Sequence, residues 1–185
     1  MTGLVRHIIR YVKDDRATAT MEFVIMFPVV IVLFIAAFET GMILSRQVLL
    51  ERSLDDAVRS LRLLRTTEDS DGVKDPWTDD HIQDAICRNT RSIPNCHDVL
   101  VVELTVIDDK TYDIPAADVV CVDRNNSSVA PANTFDPGED SDLMLIRTCA
   151  VVDRILPFSG FGLNLVRDDT GGIHMVASSV FMNEP

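Results

Sequence analysis

The sequence predicts an α+β fold: one long N-terminal helix that crosses a membrane and continues as a stalk, then a small head with an antiparallel β-sheet and one or two helices. Three observations predict it. Phe23 to Phe38 is a run of sixteen residues without a charge, and its apolar character continues past Glu39 to Leu44. An apolar stripe at alternating steps of four and three follows. From residue 99 onward, runs rich in β-branched residues are separated by polar segments containing Gly, Pro and Asn.

At about 1.5 Å per residue the uncharged run measures roughly 24 Å, and its extension to Leu44 roughly 33 Å, against a hydrocarbon thickness of about 30 Å. A lipid bilayer is therefore the first expected partner. Arg6, Arg10, Lys13 and Arg16 precede the run and favour a cytoplasmic N-terminus, although Arg46, Arg52, Arg59, Arg62 and Arg65 blunt the asymmetry. All four cysteines lie beyond the run, which favours an exported C-terminal part. A removable signal peptide would need a small-x-small site after the run, and "FIAAFETG" is a poor one. The expected divisions are a basic leader at 1–17, a transmembrane helix at 18–45, a periplasmic stalk at 46–66, a linker at 67–77 and a periplasmic head at 78–185.

The stalk carries Ile43, Leu50, Leu54, Ala57, Leu61 and Leu64, with Gln47 at the one polar site of the series. Steps of four and three give a 3.5-residue period, the narrow seam of a helix lying on a partner. Two partners fit that seam, the chain's own head and the stalk of another subunit. Arg52 with Asp56 and Asp55 with Arg59 stand at i, i+4 on the polar side and mark a solvated face.

Charge divides the chain unequally. Residues 1–65 hold nine Lys/Arg against seven Asp/Glu, and residues 66–185 hold eight against twenty-two, for a net charge of -12 overall. So acidic a head repels phosphate backbones, which argues against nucleic acid as a partner. Its four cysteines allow three pairings. Cys87 with Cys96 and Cys121 with Cys149 is the preferred set, since the first closes a short span and the second joins two strand-like segments. No Cys-x-x-Cys or His-x-x-x-His spacing occurs, so no metal site is expected.

"TTEDSDGVKDP" separates stalk from head, and Thr78 caps a helix whose apolar side is Ile82, Ala85 and Ile86. Strands are expected at 99–107, 143–152 and 173–182, with a further strand-like run at 118–122. Between 118–122 and 143–152 lies the polar loop "DRNNSSVAPANTFDPGED", and "LPFSGFGLNLV" before the last strand reads as a loop or a short helical turn. No catalytic constellation emerges: His7, His81, His97 and His174 have no relay or metal spacing, and phosphate-loop and nucleophile-elbow patterns are missing. An enzyme is not expected, and no cofactor. Asp69, Asp71, Gly72 and Asp75, and separately "DPGEDSD" at 136–142, faintly resemble calcium loops, but both lack the terminal glutamate and solvated acidic loops explain them better.

The most informative stretch is "RATATMEFVIMFPVVIVLF". A basic leader, a small residue, four spacers, a glutamate and an apolar helix are the order read by prepilin peptidases. The stretch resembles the N-terminus of TadE/TadF-type proteins, pilin-like minor components of the tight-adherence (Flp) type IV pilus system, at Arg16, Ala17, Glu22, Phe23 and Pro28. The sequence departs from that family at Ala17, where glycine is usual. The resemblance implies a pilin-like lollipop, non-enzymatic, cut by a prepilin peptidase between Ala17 and Thr18. Its implied partners are other pilin-like subunits and the pilus assembly platform. A carboxylate near hydrocarbon costs roughly 2.5–3.5 kcal/mol on insertion scales. Cleavage would place a new amino group at Thr18, one turn from Glu22, so Glu22 can set subunit register against that amine or a neighbour's. Phe23 and Pro28 would pack against adjacent helices, and Glu39 marks the opposite interface. The rival reading is a signal-anchored envelope protein whose periplasmic domain binds a ligand or a protein.

Overall fold

Helix α1, Asp15–Leu63, is a single unbroken element. Pro28 lies inside it and offers no N–H to the carbonyl of Val24, yet the helix continues on both sides. The computed structural model describes residues 15–63, 66–68, 74–76, 78–112, 114, 119–126, 134–139, 141–154 and 170–183. The basic leader before residue 15, Leu64 at the end of the apolar series, most of the acid-rich linker, and "LPFSGFGLNLV" lie outside the described residues.

The chain forms two compact units, one taking in residues 1–41 with 156–161 and the other residues 42–155 with 162–185. In the first, every described residue from Thr20 to Phe34 is exposed. The rings of Phe23 and Phe27, one turn apart, stack with centroids 5.1 Å apart. From Thr20 to Gly41 the helix measures about 33 Å.

In the second unit the order is α1 from Met42, β1 (Thr66–Glu68), β2 (Lys74–Pro76), α2 (Asp79–Asn89), the short α3 (Cys96–Val99), β3 (Leu100–Ile107), β4 (Leu143–Val152) and β5 (Ile173–Met182). β1 and β2 pair as a small antiparallel ladder that begins at the last residue of the expected stalk and otherwise lies in the expected linker. β3, β4 and β5 form an antiparallel sheet in that spatial order. The register aligns Glu103 with Arg147 and Ser178, and Leu104 with Ile146 and Ser179.

Strand alternation divides this sheet into two faces. On one, Leu100, Val102, Leu104, Met144, Ile146, Ala150, Ile173, Met175, Ala177 and Phe181 join Leu50, Leu54, Ala57 and Leu61 of α1 and Ile82 and Ile86 of α2 in one buried cluster. The seam of α1 therefore has the chain's own head as a partner. β4 is buried along nearly its whole length, on both faces. That agrees with its continuous apolar run, whereas β5 alternates.

Two expectations need correcting. The run at 118–122 is no strand: residues 119–123 have no regular structure. β4 already has β3 and β5 on its two edges, so no ladder position beside it remains for this segment. Instead the edge of β3 is met by a piece of the polar loop: Phe135 bridges Leu104 in parallel, Leu104 N–H donates to Thr134 O at 2.9 Å, and Asp136 N–H to Leu104 O at 2.9 Å. The second correction concerns Thr78, which occupies the N-cap position of α2 but makes no side-chain cap bond. Its hydroxyl lies 3.1 Å from His81 Nδ1 instead.

Candidate functional site: the N-terminal helix and its seat on the head

Ala17 and Thr18 lie in the first turn of α1, whose leading N–H groups have no intrahelical acceptor. Glu22 follows Thr18 by four residues on the same helix and is exposed, as are Phe23 and Pro28. This part of α1 is apolar on every side, with Val24, Ile25, Met26, Val29, Val30, Leu33 and Phe34 all exposed. A helix with no polar face to give to water needs an apolar surround. It is long and apolar enough to cross a membrane. Glu39, the interface marker expected from sequence, is only 4% exposed, so it does not simply reach out into solvent.

Beyond Met42 the same helix changes character. Leu50, Leu54, Ala57 and Leu61 are buried, one every three or four residues. Gln47, the polar member of the series, does not enter the core. Its Nε2 donates to Val176 O on β5 at 2.9 Å and to Glu51 Oε1 at 2.8 Å. A hydrogen-bonding residue suits this place because the outer edge of a sheet presents free carbonyls. Ser53 is the buried polar residue that the stripe does not reveal. Its hydroxyl donates to Leu50 O at 2.8 Å and lies 2.6 Å from the hydroxyl of Thr90, which ends α2. Two helices are thus joined through a satisfied polar pair inside an apolar cluster.

Two disulfides hold the head, Cys87–Cys96 and Cys121–Cys149, with Cα atoms 5.7 and 5.3 Å apart. The first ties α2 to α3, and Gln83 reinforces the join by donating to His97 O at 3.0 Å and Leu100 O at 2.7 Å. The second brings the 119–123 segment to the centre of the sheet face that does not meet α1. On that face Arg147 and Glu103, from adjacent strands, form an ion pair at 2.9 Å with side chains only 8% and 10% exposed. A buried pair of this kind adds little net stability but penalises any register that separates its members.

The sulfurs of Cys121 and Cys149 and a ring nitrogen of His174 all lie within 4.8 Å of one another. Since the sulfurs are bonded to each other, neither is a thiolate able to take up a metal. His97 sits 3.5 Å from Asp84, both well exposed, which is a surface contact. In the 136–142 loop Asp136 Oδ1 accepts from Gly138 N–H at 3.0 Å and Asp142 Oδ2 from Glu139 N–H at 2.7 Å. These carboxylates cap their own loop. The other calcium-like stretch, at 69–75, falls mostly outside the described residues.

No curated protein and no solved structure matches the chain. A family model described as TadE-like protein matches residues 17–59. That match opens at the small residue Ala17, takes in Glu22, Phe23 and Pro28, and closes inside the part of α1 seated on the head, so the similarity to TadE-like proteins lies in residues 17–59.

Proposed function

We propose that this protein is a non-enzymatic minor pilin or pseudopilin that takes part in tight-adherence (Flp) pilus assembly at the bacterial inner membrane. One observation carries the reading. A helix apolar on all sides, opened by a small residue, four spacers and Glu22, coincides with the TadE-like match and continues into the core of a disulfide-bonded head. The N-terminus is cytoplasmic and the disulfide-bonded head periplasmic.

A prepilin peptidase cuts between Ala17 and Thr18 and leaves the helix attached. The bond lies in the first helical turn, so opening it for the peptidase breaks few hydrogen bonds. After cleavage the new Thr18 ammonium stands one turn from Glu22, and the carboxylate also favours the positive end of the helix. The same carboxylate answers the amine of a neighbouring subunit when helices pack side by side, which sets their stagger. Phe23 and Pro28 lie on the exposed surface available for that packing, while Leu50, Leu54, Ala57 and Leu61 are engaged by the chain's own head.

Intact mass and terminal sequencing of the protein isolated from its native envelope test the reading. A chain starting at Thr18 with the helix retained is the expected result. A chain starting at Met1, or beyond Phe38, would leave only a plain anchor or a removed signal peptide. Glu22→Ala should abolish pilus assembly while leaving membrane insertion intact. Normal piliation in that variant would favour the anchored binding domain.

A further inference from the structure

The two edges of the head's sheet are treated differently. β3 has its outward groups at Leu104 occupied by Thr134 and Asp136. At β5, Val176 O is taken by Gln47, which shows that the even-numbered residues direct their backbone groups away from β4. Asn183 agrees, since it is odd-numbered and its N–H and C=O meet Asp142 and Ser141 on the β4 side. Ser178, Val180 and Met182 therefore present N–H and C=O groups outward, and among the described residues nothing pairs with them. Val180 and Met182 are 52% and 56% exposed.

Long exposed edges in monomeric proteins are blunted by lysine, proline, a bulge or a cover. β5 has ten residues, "IHMVASSVFM", with no Asp, Glu, Lys, Arg or Pro. Such an edge is complete only when an extended strand lies along it.

We infer that the Ser178–Met182 edge of β5 pairs antiparallel with the same edge of a second copy of this chain. Two observations choose a second copy. The free stretch ends where Gln47 occupies Val176, so its centre is Val180. A two-fold axis there sets Val180 opposite Val180 and Ser178 opposite Met182, with apolar contact at the axis and three outward residues per strand hydrogen-bonded. The edge is also uncharged on a head that holds eight Lys/Arg against twenty-two Asp/Glu over residues 66–185. A basic partner strand would find nothing to meet on this edge, whereas two identical neutral edges meet without like charges in register. Repulsion between the two acidic heads makes the pairing salt-dependent. The inference stands on the head alone and does not depend on cleavage at Ala17.

All four cysteines are in disulfides, so Val180→Cys supplies the only free thiol. The full chain carrying it, in detergent micelles under mild oxidation, should give a covalent dimer on a non-reducing gel, increasing several-fold as salt rises from low to physiological. Asn89→Cys, at the exposed end of α2, should give at least tenfold less. Adding Ser178→Pro to Val180→Cys removes an outward donor that β4 does not use, and should cut the dimer at least tenfold. Met182→Lys should do the same without touching the backbone. Equal crosslinking of the Val180→Cys and Asn89→Cys chains, or crosslinking indifferent to both edge changes, would overturn the pairing.

Discussion

One helix is held in two ways. From Thr20 to Phe34 its residues are exposed on every side; from Leu50 to Leu61 one apolar stripe is buried in the core of the head. Local propensity does not separate these halves, since both are helical. What separates them is where the apolar surface goes: outward in all directions, which only a lipid or helical surround satisfies, or inward along one line, which the head satisfies. The first half is built for partners outside the chain and the second for partners within it.

Substitutions along α1 make that contrast measurable. Leu54→Ala, in the buried half, should destabilise the head by about 2–5 kcal/mol through lost burial and a cavity. Urea unfolding of the detergent-solubilised chain, followed by near-UV ellipticity, checks it, and a loss below about 1 kcal/mol would break the distinction. Next comes the polar join between helices. Thr90→Val should cost about 1–3 kcal/mol in the same assay by removing the buried partner of Ser53. At the upper end of the seat, Gln47→Ala removes one bond to the edge of β5 and should cost about 0.5–1.5 kcal/mol. Leu33→Ala, in the exposed half, should leave head stability within about 0.5 kcal/mol, although it has the same chemistry as Leu54→Ala. A large effect there would mean that the two halves are not separate in kind.

Periodicity made much of this legible from residues alone. The stripe from Leu50 to Leu61, the helix with Ile82 and Ile86, and the strands at 143–152 and 173–182 stand where the apolar spacing predicts them. The run around Cys121 misled because β-branched residues signal a strand without saying whether a ladder position remains, and β4 has none left. The ladder of β1 and β2 was hidden in "TTE" and "KDP", which are too short and polar to show alternation. Ser53 and Thr90 were invisible for another reason. Each looks like a surface residue in sequence, and only the crossing of two helices 37 positions apart makes them a pair. Within the candidate site, the order from Ala17 to Pro28 is local and readable, while the binding of Gln47 to a strand 129 residues away is not.

That long separation also orders events in time. The seam of α1 is completed by β5, and in the proposed topology, with the N-terminus cytoplasmic, β5 is exported after α1, α2, β3 and β4. Until then the cluster around Leu50, Leu54 and Leu61 lacks Ile173, Met175, Ala177 and Phe181, and the partner cysteine of Cys121 has no finished sheet to sit in. In the proposed topology the head therefore closes only once β5 has emerged, and a chain stalled before residue 173 would present an anchored helix with its apolar stripe incompletely covered, a state readily recognised by envelope chaperones and proteases.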